Sequence, residues 1–250
     1  MEKIKMKKSQ MILLSTMLLG GVFSTVSVAA ADGGEYTSNG VINYVPNTDT
    51  TDPVDPLDPE QPVTPVDPTT PDGKPEPGTN GPLSIDFASS LAFGEQKITS
   101  TTQTYYAAAQ KYKDASDVEK EGPNFVQVSD NRGTETGWTL KVKQNAQFKT
   151  AEDQELTGAK ITLSNGNVVT GSQSAKPTGV ATFSLDPSGS ESLVMSAKDG
   201  EGAGTYLMDW GNSVDTAKNS IALEVPGSTT KYAKAYKTTF TWTLTDAPGN

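Results

Sequence analysis

Two of the three tryptophans lie in near-identical tetrapeptides, Gly-Trp-Thr-Leu at residues 137–140 and Thr-Trp-Thr-Leu at 241–244. An indole can cover the apolar face of a pyranose ring, and neighbouring hydroxyl groups can bind the polar groups of the sugar. These residue types therefore suit a carbohydrate-binding site. The candidate ligand-binding residues are Trp138, Thr139, Leu140, Trp242, Thr243 and Leu244.

The same tetrapeptides also fit a purely structural role. Each Trp shares a strand face with the Leu two residues later, which is the pattern of a half-buried strand. Phe240 extends the apolar face of the second motif, so we expect Trp242 to be a core residue. Gly137 leaves room beside Trp138 for a ligand or for another stretch of backbone. Both roles stay open for both tryptophans.

Two single residues and a lysine cluster are further candidates. Trp210 lies in an Asp-Trp-Gly context that indicates a loop and suits surface contact. Arg132, the only arginine, either anchors a turn through Asp130 or nearby carbonyl groups, or binds a ligand carboxylate. Three lysines at a spacing of three, in residues 231–237, either meet an anionic polymer or form a solvated face.

Composition excludes many classes of function. The chain of 250 residues has no cysteine and no histidine, so it lacks disulfides, thiolate nucleophiles, Cys-ligated metals and a Ser-His-Asp triad. Its formal net charge of −10 argues against a nucleic-acid partner. Two carboxylates would suffice for a glycosidase, but no acidic pair stands in a distinctive setting. We therefore expect no enzymatic activity, no cofactor and no metal site.

The elements that must position these residues are strands. Apolar and polar residues alternate in segments 83–87, 125–128, 137–142, 159–163, 181–185, 220–225 and 240–244, with Gly, Pro and Asn turn signals between them. Residues 83–250 are thus predicted to form one all-β domain, an antiparallel β-sandwich-like or partly closed barrel. Residues 104–120 fit a helix or a strand, and we expect a strand followed by an irregular loop.

Residues 1–31 have the layout of a signal peptide: a basic start, an apolar run from 11 to 28, and three alanines. An uncleaved membrane anchor is the alternative. The Ser and Thr content of the apolar run favours cleavage, which would leave no membrane span. The C-terminus shows neither a hydrophobic tail nor a basic stop, so we expect no covalent sorting signal there.

Two segments precede the predicted domain. Within residues 32–45, the β-branched and aromatic run at 36–45 predicts a short strand, which we expect to pair with the main sheet because a lone strand is unstable. Residues 46–82 hold 11 of the 16 prolines, seven of them at a spacing of three, and carry a net charge of −7. This pattern predicts an acidic polyproline II-like spacer, or a proline-rich ligand for a partner groove.

The second tryptophan motif and its flanks resemble the WxL family of cell-surface proteins of low-GC Gram-positive bacteria. That family ends in a Tyr-x-x-x-aliphatic-Thr-Trp-x-Leu-x-x-x-Pro pattern and has an earlier Trp-x-Leu upstream. Tyr236, Trp242, Leu244 and Pro248 match this pattern, while Phe240 stands at the aliphatic position. Further similarity in segments 83–94, 130–133 and 156–159, and in the N-terminal regions, extends the resemblance over nearly the whole chain.

The resemblance implies a small WxL protein, secreted and held at the cell surface, that attaches non-covalently to the cell wall by binding peptidoglycan. It adds Tyr236 to Trp210 and Arg132 as a secondary site candidate. The alternative is an adhesin or surface-complex component. Its partner would be a host matrix protein, a membrane-anchored companion or another WxL-cluster protein.

Overall fold

The computed structural model describes residues 33–249, so the predicted signal peptide at 1–31 lies outside the described residues. The elements of the described part are β1 (Val54–Asp55), β2 (Asp58–Pro65), β3 (Leu83–Ala88), β4 (Gln103–Tyr106), β5 (Gln110–Asp114), β6 (Glu119–Gly122), β7 (Asn124–Asp130), β8 (Trp138–Gln144), β9 (Lys160–Leu163), β10 (Gly166–Val169), β11 (Thr178–Gly179), β12 (Phe183–Ser184), β13 (Ser192–Ala197), β14 (Gly204–Trp210), α1 (Val214–Ala217), β15 (Ile221–Val225) and β16 (Phe240–Thr245). In this part of the chain no helix is long and apolar enough to span a bilayer.

The strands pair antiparallel into four sheets of four strands. Sheet I has the order β10-β14-β7-β3, sheet II β11-β13-β8-β16, sheet III β12-β9-β15-β4, and sheet IV β1-β2-β5-β6. The prediction of an antiparallel all-β fold is confirmed, and within residues 33–249 the sheets stay open rather than closing into a barrel.

The main core lies among sheets I, II and III, because their alternating strands direct one apolar row each into the same interior. β7 and β14 of sheet I also bury their other face. There a smaller cluster of Phe87, Phe125 and Leu207 packs against the partly buried Val54. Sheet I is therefore an inner layer, covered on both sides.

The prediction of an extended polyproline II spacer over residues 46–82 is wrong. Val63 of β2 lies opposite Asp114 of β5, and Gln127 of β7 hydrogen-bonds the backbone of residues 52 and 54. Polyproline II and β-strand backbones both lie in the broad extended region of φ/ψ space, so proline spacing alone cannot separate them. The distant partners β5 and β7 decide the outcome in favour of a packed sheet.

The described chain divides into two units, residues 33–42 and 43–249. The prediction that residues 36–45 form a strand paired with the main sheet is also wrong. Residues 33–48 contain no strand, and Tyr44 is 88% exposed.

Residues 104–120 start with the expected strand, β4. They continue into β5 and β6 rather than an irregular loop.

Candidate functional site

Both Trp-Thr-Leu motifs lie on neighbouring strands of sheet II. Strand β8 pairs with β16 so that Trp242 lies opposite Val142 and Leu244 opposite Leu140. Residues directly opposite each other in an antiparallel pair share a face, and residues two apart along a strand do too. The two motifs therefore direct every Trp and Leu to the core face of sheet II, and their threonines to the other face.

Trp138 is completely buried and cannot stack on a ligand. Its indole Nε1 donates a hydrogen bond to the Gly202 carbonyl oxygen at 2.9 Å, and its ring packs beside Tyr206 with centroids 6.2 Å apart. The space beside Gly137 is filled by backbone, since a Cβ there would lie 2.5 Å from the Ala197 oxygen. The sequence allowed either a ligand or another stretch of backbone beside Gly137, and the structure has backbone there.

Trp242 is only half-buried, the reverse of the expectation that it would be the deeper of the two. It lines a narrow apolar crevice together with Phe240, Leu91 and Trp210. Strand order explains the difference: β8 lies between two strands, whereas β16 is the edge strand of sheet II. An edge strand has no neighbouring strand on one side, so its inward side chains are less completely covered.

Trp210 ends strand β14 instead of lying in a loop, and only 2% of it is exposed, so its expected role in surface contact is wrong. Its ring lies 6.1 Å from that of Trp242, at an angle of 44°. Its Nε1 has no hydrogen-bond partner among the described residues. The alternation of Tyr206, Met208 and Trp210 was the sequence signal for this strand.

The outer face of β8 and β16 carries hydroxyl and ammonium groups. We call it the Thr/Lys face; it consists of Thr139, Lys141, Lys143, Thr241, Thr243 and Thr245. Its outward direction confirms the predicted alternation. Lys141 is 45% exposed and pairs with Glu191 at 3.3 Å, a surface contact of small energetic value. Lys143 forms no ion pair within residues 33–249.

The hydroxyl groups at both ends of the Thr/Lys face are already used. Thr139 Oγ1 donates to the Ala247 carbonyl oxygen, and Thr241 Oγ1 donates to Asn145 Oδ1, each at 2.9 Å. Thr243 lies between them, opposite Lys141. The centre of this face therefore offers a hydroxyl group beside two lysines, which suits a ligand with carboxylate and polar sugar groups.

Arg132 anchors a turn, as the first of its two interpretations predicted. Its Nε and Nη2 donate to the two carboxylate oxygens of Asp130 at 2.9 and 2.7 Å, and Nη2 also donates to the Gly137 carbonyl oxygen. The hydrogen bond and charge of Asp130 raise the pKa of Arg132. The guanidinium thus fixes the turn that leads into β8, and positions the first tryptophan motif.

Tyr236 and the nearby lysines mainly hold the segment that leads into β16. Tyr236 packs against the main core, and its hydroxyl oxygen accepts a hydrogen bond from the Tyr232 backbone at 3.0 Å. Lys231 Nζ donates to two carbonyl oxygens, and Lys234 pairs with Glu152 at 2.9 Å. These lysines are therefore a weaker polymer-binding candidate than the Thr/Lys face.

Sequence reasoning missed the buried acids on the far side of sheet I. Asp86 accepts hydrogen bonds from Ser84, Gln127 and Ser129, yet burial still raises its pKa. Burial, and secondarily the charge of Asp55, raises the pKa of Asp209 well above the usual Asp value. Acidic residues in strands look like solvent-facing positions in a sequence, so no local signal marks them as buried.

Comparison with family models places the chain in a known family. The model described as "WxL domain surface cell wall-binding" matches residues 31–248. The chain therefore belongs to the WxL family and is a surface protein located at the cell wall. Comparison with curated proteins and with solved structures finds no match.

Proposed function

We propose that this WxL domain holds the protein on the wall by binding peptidoglycan non-covalently, through the Thr/Lys face. One observation carries the proposal: both family motifs direct their Trp and Leu to the core face of sheet II and turn their Thr outward, next to Lys141 and Lys143. The tryptophans then act as the buried support of the binding surface rather than as its contact groups.

The chemistry of this face suits peptidoglycan. The ammonium groups can pair with carboxylates of the stem peptides, and the Thr243 hydroxyl group can bind sugar hydroxyl or acetamido groups. The net charge of −10 repels dense polyanions. The Thr/Lys face has only two lysines, in a protein that is otherwise acidic. It is therefore better suited to a polymer with separated carboxylates than to a continuous polyphosphate.

A sedimentation assay with purified peptidoglycan tests the face directly. We expect Lys141→Gln combined with Lys143→Gln to weaken binding at least about tenfold, with an unchanged melting temperature, and Thr243→Val to weaken it less. Lys176→Gln, an exposed lysine outside sheet II, is the matched control and should bind normally. Normal binding by the double variant would overturn the proposed face.

Two further measurements test the type of attachment. High salt or a chaotrope should release the protein from intact walls, whereas release only by a wall-degrading enzyme would contradict non-covalent binding. The proposal assigns the chain no catalytic role, so a reducing-sugar assay on peptidoglycan should stay at background. Binding to a host matrix protein or to a companion surface protein stays a prediction.

A further inference from the structure

Strand β16 is an unprotected edge of sheet II. The sheet edges are β1, β3, β4, β6, β10, β11, β12 and β16, and only β3 and β16 are six residues long. The outer side of β3 is covered, because Thr79 N donates to the Ile85 carbonyl oxygen and Ile85 N donates to Thr79 Oγ1, both at 2.8 Å. Within residues 43–249, the backbone of β16 bonds only to β8. Its sequence also lacks proline and charged residues, which commonly protect an exposed edge.

The free backbone groups of β16 belong to every second residue. Asn145 N donates to the Thr239 carbonyl oxygen at 2.9 Å, which continues the ladder between β8 and β16 by one step. In an antiparallel ladder, alternate residues of a strand bond to the same neighbour. The threonines of β16 therefore bond to β8, whereas the N–H and C=O groups of Phe240, Trp242 and Leu244 point away from it.

The side chains of these three residues are incompletely covered as well. Each of them packs against the main core, yet each is only half-buried. The residues with free backbone groups are thus the residues with partly exposed apolar side chains. A long edge that combines the two features is a template for another strand.

The free side of β16 is complementary to itself in one register. When two copies of the strand pair antiparallel about a two-fold axis at Trp242, Phe240 of each copy lies opposite Leu244 of the other, and the two Trp242 residues lie opposite each other. Every member of these pairs has free backbone groups, and each pair exchanges two hydrogen bonds, so all of the free groups become paired. A shift by two residues leaves free groups unpaired at the strand ends, and a shift by one residue mixes the two faces.

We propose that two copies of the protein associate through β16, each strand adding antiparallel to the other with Trp242 at the two-fold axis. Sheet II then continues from one copy into the next, and the two apolar rows join on its core side. Because the axis is perpendicular to the sheet, the two Thr/Lys faces lie on the same side of the dimer. The inference does not depend on peptidoglycan binding.

Introduced cysteines give a direct test, because the chain has none of its own. In the centred register, Thr241 of one copy lies opposite Thr243 of the other as a non-hydrogen-bonded pair, with Cα atoms about 4.5 Å apart. This separation suits a disulfide. Purified secreted protein carrying Thr241→Cys, mixed with protein carrying Thr243→Cys, should therefore form a disulfide-linked dimer under mild oxidation.

Each variant alone is the control for the register. Two copies of Thr241→Cys, or two copies of Thr243→Cys, place their cysteines diagonally, about 7–8 Å apart, so they should cross-link much less than the mixture. Thr134→Cys, at an exposed position in a loop, should not cross-link to Thr243→Cys. More dimer from either variant alone than from the mixture, or no cross-link at all, would overturn the proposal.

Charge substitutions on the outer face test the same contact in solution. Thr241→Lys combined with Thr243→Lys places like charges opposite each other across the axis, whereas Thr241→Lys combined with Thr243→Glu places opposite charges there. Sedimentation velocity should show that the first combination associates at least about fivefold more weakly than the second, with similar melting temperatures. A single strand pair forms a small interface, so the parent should dimerise with a Kd on the order of micromolar or weaker. Equal association of the two combinations, or a parent that stays monomeric at every concentration, would contradict the proposal.

Discussion

The indole Nε1 of Trp138 donates a hydrogen bond to the Gly202 carbonyl oxygen at 2.9 Å. This bond satisfies the one polar group of a side chain that solvent does not reach. It also ties the first tryptophan motif to the turn between β13 and β14. Trp242 is half-buried on an edge strand, so two motifs of nearly equal sequence differ in depth.

Truncation of the two tryptophans should therefore have unequal costs. Trp138→Ala removes a fully buried indole and should lower the free energy of unfolding by about 3–5 kcal/mol. Trp242→Ala removes a partly exposed indole and should cost about 1–2 kcal/mol less. Urea denaturation of both variants measures the difference. A greater loss for Trp242→Ala would contradict the assigned depths.

Gly202 should tolerate no side chain, because the Trp138 ring occupies the space. A Cβ on Gly202 would lie 2.5 Å from Ala197 Cβ and 2.6 Å from Trp138 Nε1. Gly200 is the matched control, with the same φ of +81° and nothing within 4 Å of a Cβ. Gly200→Ala should cost about 1 kcal/mol for the backbone conformation, and Gly202→Ala about 1–3 kcal/mol more. Equal costs, measured by urea denaturation, would show that Trp138 does not limit this position.

Gln127 should determine the local stability of the contact between β1 and β7. Its Oε1 accepts from Val54 N at 2.8 Å, and its Nε2 donates to the Asp52 carbonyl oxygen and to Asp86 Oδ2. Gln127→Ala should cost about 1–3 kcal/mol, since it leaves buried groups unpaired. Hydrogen exchange at Val54 should accelerate more than at Ile221 of β15. Gln96→Ala, at an exposed position, should leave both rates unchanged.

Asp209 should make the fold less stable as the pH rises. Burial, and then the charge of Asp55, raises the pKa of Asp209 in the folded state, so the folded protein keeps a proton that the unfolded chain releases above about pH 4. Stability is therefore lost from about pH 4 up to the folded-state pKa. Asp209→Asn removes this penalty, so we expect a variant that is more stable than the parent at neutral pH and equal to it in acid.

Asp186→Asn is the control, because the Asp186 carboxyl makes stability depend on pH in the opposite direction. The stability of both variants is measured by urea denaturation over the same pH range. Hydrogen bonds from Ser188 lower the pKa of the exposed Asp186 carboxyl, so its contribution is present at neutral pH and lost in acid. The Asp186 variant should thus be less stable than the parent at neutral pH. A loss of stability in Asp209→Asn at neutral pH would show that the folded state needs the Asp209 carboxylate.

The sequence predicts which face a side chain takes, but not how deep it lies. Alternation correctly assigned Trp138 and Trp242 inward and the threonines of both motifs outward. Depth depends on whether a strand is central or at an edge, and strand order depends on residues far away in the chain. The pairing of β8 with β16, across about a hundred residues, leaves no local sequence signal.

The N-terminal segments show the same limit. Proline spacing in residues 53–71 predicts one extended segment, but the backbone is extended only in β1 and β2 and turns at 56–57 and 68–72. Extended backbone also serves both polyproline II and β-strands. The choice follows from the packing of Val54 against the cluster of Phe87, Phe125 and Leu207 and from the hydrogen bonds of Gln127 to the backbone of 52 and 54, neither of which a local pattern contains. At 36–45 the strand propensity is real, yet no strand of the described chain pairs with it.

The contact between Trp210 and Trp242 also gives the protein a built-in optical signal. Two indole rings 6.1 Å apart and inclined by 44° are close enough to couple their electronic transitions, so we expect a paired positive and negative band in ultraviolet circular dichroism. Trp242 is the more accessible half of the pair, since it is partly exposed on an edge strand. A change at the β16 edge that tilts the Trp242 ring would alter this band, so the state of that edge can be followed on unlabelled protein.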